Sequence, residues 1–113
     1  MIRLFVYGTL KKGFHNNFYL RDARYLGEFT TDPGYSMYSF GNYPAVCETG
    51  DTPILGEVYE ISEQLLASTD RLEWYPEYYQ RVLIETSFGE AWMYVVREQL
   101  CTDKIKISGN WIY

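Results

Sequence analysis

The chain has 113 residues, a net charge of −5 and 47% apolar residues, which fits one globular domain over 1–113 with a single modest core. The negative charge, with Lys11-Lys12 and Lys104/Lys106 too few and too scattered to line a groove, excludes nucleic-acid partners and disfavours anionic membrane surfaces. Aromatics make up 19% of the chain, 12 of them Tyr, which favours strands and an aromatic-lined cavity over a helical bundle.

No apolar run approaches the ~18 residues that a membrane helix needs, and the N-terminus lacks the basic-then-apolar pattern of a signal peptide. Cys47 and Cys101 have no metal-ligand spacing. Two thiols in a domain of this size predict a reducing cytoplasm rather than a disulfide framework.

In chain order, the apolar run Ile2 to Tyr7 predicts a buried strand. Gly8 to Gly13 turns the backbone away. Without a Cβ, Gly8 allows a sharp bend and a close approach to the main chain. A strand ending in a glycine loop exposes N–H groups in one direction, suited to a carboxylate, phosphate or oxyanion. The plainer alternative is a strand and an ordinary turn. The loop is not a nucleotide phosphate-binding loop, because Phe14 follows Gly13 where Lys is required. Asn16 to Asp22 predicts a short helix or irregular turn. His15, the one His, has no partner at helical spacing and reads as a partly exposed polar residue.

Tyr25 to Thr31 and Tyr35 to Phe40, separated by Asp32-Pro33-Gly34, predict an antiparallel hairpin. Tyr43-Pro44, an aromatic before Pro, is a candidate cis bond. It opens a short extended piece, Ala45 to Cys47, followed by a polar turn from Glu48 to Pro53. Ile54 to Ile61 predicts a strand with Glu57 and Tyr59 on one face, either wet or aimed into a polar cavity. Ser62 to Glu73 is the one convincing helix: Ser62 is a good N-cap, and Leu65, Leu66, Thr69 and Leu72 share a face. Pro76 prevents its continuation. Tyr79 to Ser87 and Ala91 to Glu98 predict a hairpin whose second strand is apolar on both faces and therefore buried on both. Lys104 to Ile107 and Trp111 to Tyr113 form a terminal piece. The sum is an α+β domain: a mixed sheet curled into a small β-barrel, with one main helix.

Neither Cys has a recognisable base, and the single His has no evident Ser-Asp network, so the candidate for chemistry is a carboxylate. Glu73 stands at the C-terminal end of the helix, where the dipole disfavours negative charge, and Trp74 and Tyr75 follow it. Both features raise a carboxyl pKa toward the working range of an acid/base. The alternative is an exposed Glu at a frayed helix end.

The ordered motifs Tyr7-Gly8-Thr9-Leu10, Tyr43-Pro44, Gly56-Glu57-Val58-Tyr59, Asp70-Arg71-Leu72-Glu73, Tyr79-Gln80-Arg81 and Ala91-Trp92-Met93-Tyr94 resemble the γ-glutamylcyclotransferase-like family over residues 1–98. The continuation Lys11-Lys12-Gly13 with Asn16-Asn17 resembles its γ-glutamylamine branch and small bacterial relatives. The resemblance implies the family's small β-barrel. It implies Glu73 as the catalytic acid/base and Tyr7, Gly8, Thr9 and Leu10 as the loop holding a γ-glutamyl group through backbone amides. Tyr43, Tyr59 and Arg81 fall on motif positions and are assigned to the pocket wall or its support, and Asp70 to bracing the helix end. Trp74-Tyr75-Pro76 follows Glu73 where γ-glutamylamine enzymes often carry Gly. The implied reaction turns a small γ-glutamyl substrate into 5-oxoproline and an amine, with no metal and no cofactor. A binding module that keeps the pocket without turnover, or an interaction protein using a Tyr-rich surface, are the alternatives.

Overall fold

The computed structural model describes residues 1–112. Strands β1 (Ile2–Val6), β2 (Arg24–Thr30), β3 (Tyr35–Ser39), β4 (Pro44–Thr52) and β5 (Leu55–Ile61) precede helix α1 (Glu63–Leu72). Strands β6 (Gln80–Thr86), β7 (Gly89–Val95) and β8 (Ile105–Ile107) follow it. The expected short helix near Asn16 is a 3₁₀ turn, Asn17–Leu20. The terminal Trp111–Tyr113 piece reaches beyond the described residues at Tyr113; Trp111 itself is buried.

The α+β class with one main helix is what the structure shows. Its strands lie in two sheets rather than one closed ladder: a five-stranded sheet in the order β2-β5-β1-β7-β6 and a three-stranded sheet in the order β4-β3-β8. The large sheet is mixed, because β1 runs antiparallel to β5 and parallel to β7. The Val96 N–H donates to the Val46 carbonyl at 2.9 Å and ties the two sheets together beside the end of β7.

The apolar run of β1 explains its central place. Leu4 and Val6 enter one core cluster with Tyr59, Ile61 and Leu66, on the face that α1 covers. Phe5 and Tyr7 enter a second with Met37, Val46, Val58 and Trp111, on the face that the small sheet covers. Strand β7 divides in the same way, Tyr94 to the first cluster and Met93 and Val95 to the second, as a strand apolar on both faces must. Burying a side chain such as Phe5 contributes about 2–3 kcal/mol.

Helix α1 begins as expected, with Ser62 Oγ accepting the Leu65 N–H at 3.1 Å. The β6–β7 hairpin also forms as expected. Two expectations fail, and one candidate is not taken up. β2 and β3 do not pair with each other: β2 pairs with β5, and β3 with β4 and β8. The chain changes sheets at the Asp32-Pro33-Gly34 turn because Thr31 is fastened to Ile54, N–H to carbonyl at 2.9 Å, with Thr31 Oγ1 accepting the Ile54 N–H at 2.9 Å. Of the polar turn placed at Glu48 to Pro53, all but Pro53 belongs to the outer half of β4, which bulges where the register skips from Ser36↔Cys47 to Tyr35↔Thr52, on a sheet edge where polar residues are solvated. The cis bond among the described residues is Tyr75–Pro76, not Tyr43–Pro44.

Candidate active site

A cavity of about 400 Å³ opens where β1, the start of β4 and the end of α1 converge. Its floor includes Phe5, Val6 and Tyr7, all buried. Gly8, Thr9 and Leu10 continue that wall as the chain turns out of β1. Gly8 is required by close approach: a Cβ there would meet the Pro44 ring at 2.8 Å. The space that glycine leaves is thus taken by the Tyr43-Pro44 segment, which lines the same cavity.

Gly8, Thr9 and Leu10 are buried. Their N–H groups donate to no other group among the described residues, while the neighbouring Lys11 and Asn16 N–H groups bond to the Gly8 and Thr9 carbonyls. Buried N–H groups without partners call for water or a ligand. The loop is held by side chains that follow it in the chain. Asn16 Nδ2 donates to Thr9 Oγ1 at 2.9 Å and Asn17 Nδ2 to the Leu10 carbonyl at 2.8 Å. The buried Lys11 ammonium donates to the Trp111 carbonyl at 2.8 Å, and burial lowers its pKa.

Glu73 faces the same cavity from the end of α1. Its backbone closes the helix, the N–H donating to the Thr69 carbonyl at 2.9 Å. Its carboxylate makes no ion pair or hydrogen bond among the described residues, and burial alone pushes its pKa up to about 7. Two buried phenols beside it stay neutral. Tyr7 and Tyr79 are held well above the usual tyrosine value, by burial first and by charges including that of Glu73 second. Both are fixed as donors, Tyr7 to the Tyr94 carbonyl at 2.8 Å and Tyr79 to the Pro44 carbonyl at 2.7 Å. The Tyr43 and Tyr78 hydroxyls lie 3.0 Å apart, and Phe40 stacks on Tyr43 from outside the cavity.

Glu73, Tyr7, Gly8, Thr9, Leu10 and Tyr43 therefore converge on one space. Tyr59, Asp70 and Arg81 do not line it. Tyr59 donates to Glu57 Oε1 at 3.0 Å and accepts from Asn17, beneath the loop; Glu57 also accepts the Lys12 N–H, so this carboxylate faces a polar recess. Asp70 receives both arms of Arg81, at 2.9 and 3.0 Å, and the Tyr94 hydroxyl at 2.7 Å. Tyr78, Tyr79 and Tyr94, to which the sequence alone assigns no role, also line the cavity. Tyr79 and Tyr94 lie inside quoted motifs, but in a Tyr-rich chain residue type alone marks no position.

The fold and cavity describe a small α+β domain whose pocket is sized for a small molecule. Residues 4–113 match the family model described as "Gamma-glutamyl cyclotransferase, AIG2-like". A Vibrio cholerae protein provisionally named gamma-glutamylcyclotransferase is 44% identical over 108 residues, covering 96% of this chain and 93% of that one. The Escherichia coli gamma-glutamylcyclotransferase family protein YtfP is 39% identical, covering 98% of this chain and 96% of its own, and its solution structure superposes with a TM-score of 0.78. A crystal structure of a Pyrococcus horikoshii protein, 29% identical, superposes with a TM-score of 0.81 over 97% of this chain and 89% of that one. The chain belongs to the gamma-glutamyl cyclotransferase, AIG2-like family.

Proposed function

We propose that the protein is a cyclotransferase that converts a γ-glutamyl amide into 5-oxoproline and a free amine, with Glu73 as general acid/base. The observation that carries this reading is an unpaired carboxylate, its pKa pushed up to about 7, on the cavity that Gly8, Thr9 and Leu10 line, residues whose N–H groups have no partner among the described residues. The family relationship supports the reaction class.

The substrate's α-ammonium, with an ordinary pKa of about 8, must lose a proton to become a nucleophile. Ionised Glu73 takes that proton. The α-nitrogen then attacks the γ-carbonyl carbon and forms the lactam C–N bond. As the tetrahedral centre collapses, the amide C–N bond breaks; Glu73 returns the first proton to the departing nitrogen and takes the second from the ring nitrogen, passing it to the released amine, which leaves as an ammonium while the lactam keeps one N–H. No water is consumed, and atoms and charge balance. The loop N–H groups hold the substrate carboxylate or the developing oxyanion, a role worth about 3 kcal/mol in comparable sites. The cavity folds the chain so that amine and carbonyl meet. Cys47 and Cys101 are both free and buried, which suits a reducing cytoplasm. No helix among the described residues is long and apolar enough to cross a membrane.

The test is release of 5-oxoproline from a panel of γ-glutamyl amides by the wild type and Glu73→Gln. The expected result is release by the wild type with a kcat/KM that rises with pH through about 7, and a loss of about a hundredfold or more in the variant. Absence of release by either protein, with 5-oxoproline bound equally by both, identifies a binding module instead.

A further inference from the structure

The residue after Glu73 is out of place on physical grounds. Helix α1 ends in a Schellman motif: the Trp74 N–H donates to the Arg71 carbonyl at 3.2 Å and the Tyr75 N–H to the Asp70 carbonyl at 2.9 Å. This geometry puts Trp74 at φ 53°, the one positive φ of a non-glycine residue among those described. The position ordinarily takes glycine, because a Cβ is strained there. The chain places its largest side chain at that point, beside the carboxylate, and leaves it 72% exposed. Trp74 nevertheless lines the cavity, so it stands at the rim. Its ring stacks on no other ring among the described residues. Strain maintained at the edge of a pocket points to a use there.

The rest of the rim shows what would suit it. Tyr43 and Tyr78 line the cavity, backed by Phe40. Among the described lining residues there is no Lys ammonium or Arg guanidinium and His15 is the one basic side chain, so an anionic group arriving with the substrate finds no strong cation there. It would also lie near ionised Glu73 and against a net charge of −5.

We propose that Trp74 is the specificity-determining residue of this cavity, and that the amine released carries a flat apolar body and no carboxylate. This rests on the cyclotransferase reading and names its substrate class. The indole forms one wall of the leaving-group side, Tyr43 and Tyr78 the other, and the departing amine's apolar part is sandwiched between them. The loop amides serve the glutamyl end, which alone brings a carboxylate.

The test compares γ-glutamylphenethylamide, γ-glutamylmethylamide and γ-glutamylphenylalanine with the wild type, Trp74→Gly and Trp74→Phe. The ratio of kcat/KM for phenethylamide over methylamide is expected to fall about three- to tenfold in Trp74→Gly, the range an aromatic contact supplies. Trp74→Phe is expected to hold that ratio. In the wild type, phenylalanine, which differs from phenethylamide by one carboxylate, is expected to be the poorer leaving group by about tenfold or more. Glycine suits the left-handed position, so Trp74→Gly is expected to melt no lower than the wild type, which separates a lost contact from a damaged fold. An unchanged ratio in Trp74→Gly, or equal turnover of phenylalanine and phenethylamide, overturns the proposal. If the wild type releases no 5-oxoproline from any amide, the cyclotransferase reading fails instead. Calorimetric binding of the same three compounds then reads the same ratios.

Discussion

Glu73 sits where a carboxylate is least at ease, at the negative end of a helix and against a wall rich in aromatic rings. Its pKa is about 7 in the folded chain and about 4.3 in an unfolded one. Between those values the folded state holds a proton that the unfolded state has released, so stability falls as pH rises through this window and is lowest above 7. Glu73→Gln keeps the shape and removes the charge. By urea unfolding it is expected to stabilise the protein by on the order of 2 kcal/mol at pH 8, and to change little at pH 4. An equal gain at both pH values would point to packing rather than charge. The residue was legible as a candidate because a carboxylate followed by two rings at a helix end is a local pattern. The unpartnered N–H groups of Gly8, Thr9 and Leu10 were legible only as a class of loop, since their lack of partners depends on neighbours far along the chain.

At the scale of elements, the end of α1 is fixed by a buttress rather than by the helix itself. Asp70 and Arg81 are 17% and 15% exposed and meet through two parallel hydrogen bonds. The guanidinium lies between the Tyr75 and Trp92 rings, 4.3 and 4.5 Å from their centroids. The bond to Asp70 raises the Arg81 pKa, so the guanidinium stays charged across the working range. Lysine can neither fork nor stack in this way. Arg81→Lys is expected to cost about 1–2 kcal/mol, and Arg81→Ala about 3 kcal/mol because Asp70 is left shielded and unpaired. Urea unfolding at low and high salt checks both, and the loss should persist at high salt. A loss near the 0.5 kcal/mol of an exposed pair counts against the buttress. Helix α1 itself was readable from the Ser62 cap and its apolar spacing. The β2–β3 hairpin was misread because Asp32-Pro33-Gly34 announces a turn without saying which strand lies beyond it. The outer half of β4 was missed because an exposed edge has no apolar period to read.

At the scale of the molecule, the cavity belongs to no single layer: β1, the start of β4 and the end of α1 each supply a wall. A ligand seated there should therefore stabilise the whole fold. A γ-glutamyl amide at a hundred times its Kd, added to Glu73→Gln so that it is not consumed, is expected to add about 2.7 kcal/mol. That corresponds to a rise of about 10 °C in the calorimetric midpoint. A midpoint unmoved at that concentration would mean that the native state does not bind the amide in preference to the unfolded chain. The α+β class was legible from strand count and the single helix. The division into two sheets was not, because it turns on which strand edges meet rather than on any strand's own residues.

The pairing of β1 has a consequence in time. Its neighbours β5 and β7 are distant in sequence, and pairings of that kind are slow to find. The glycine loop is carried by this early strand, yet Lys11 on it is clasped by the carbonyl of Trp111, close to the end of the sequence. The loop's anchor is thus a contact between residues 100 apart in sequence, the kind of closure that forms late in folding.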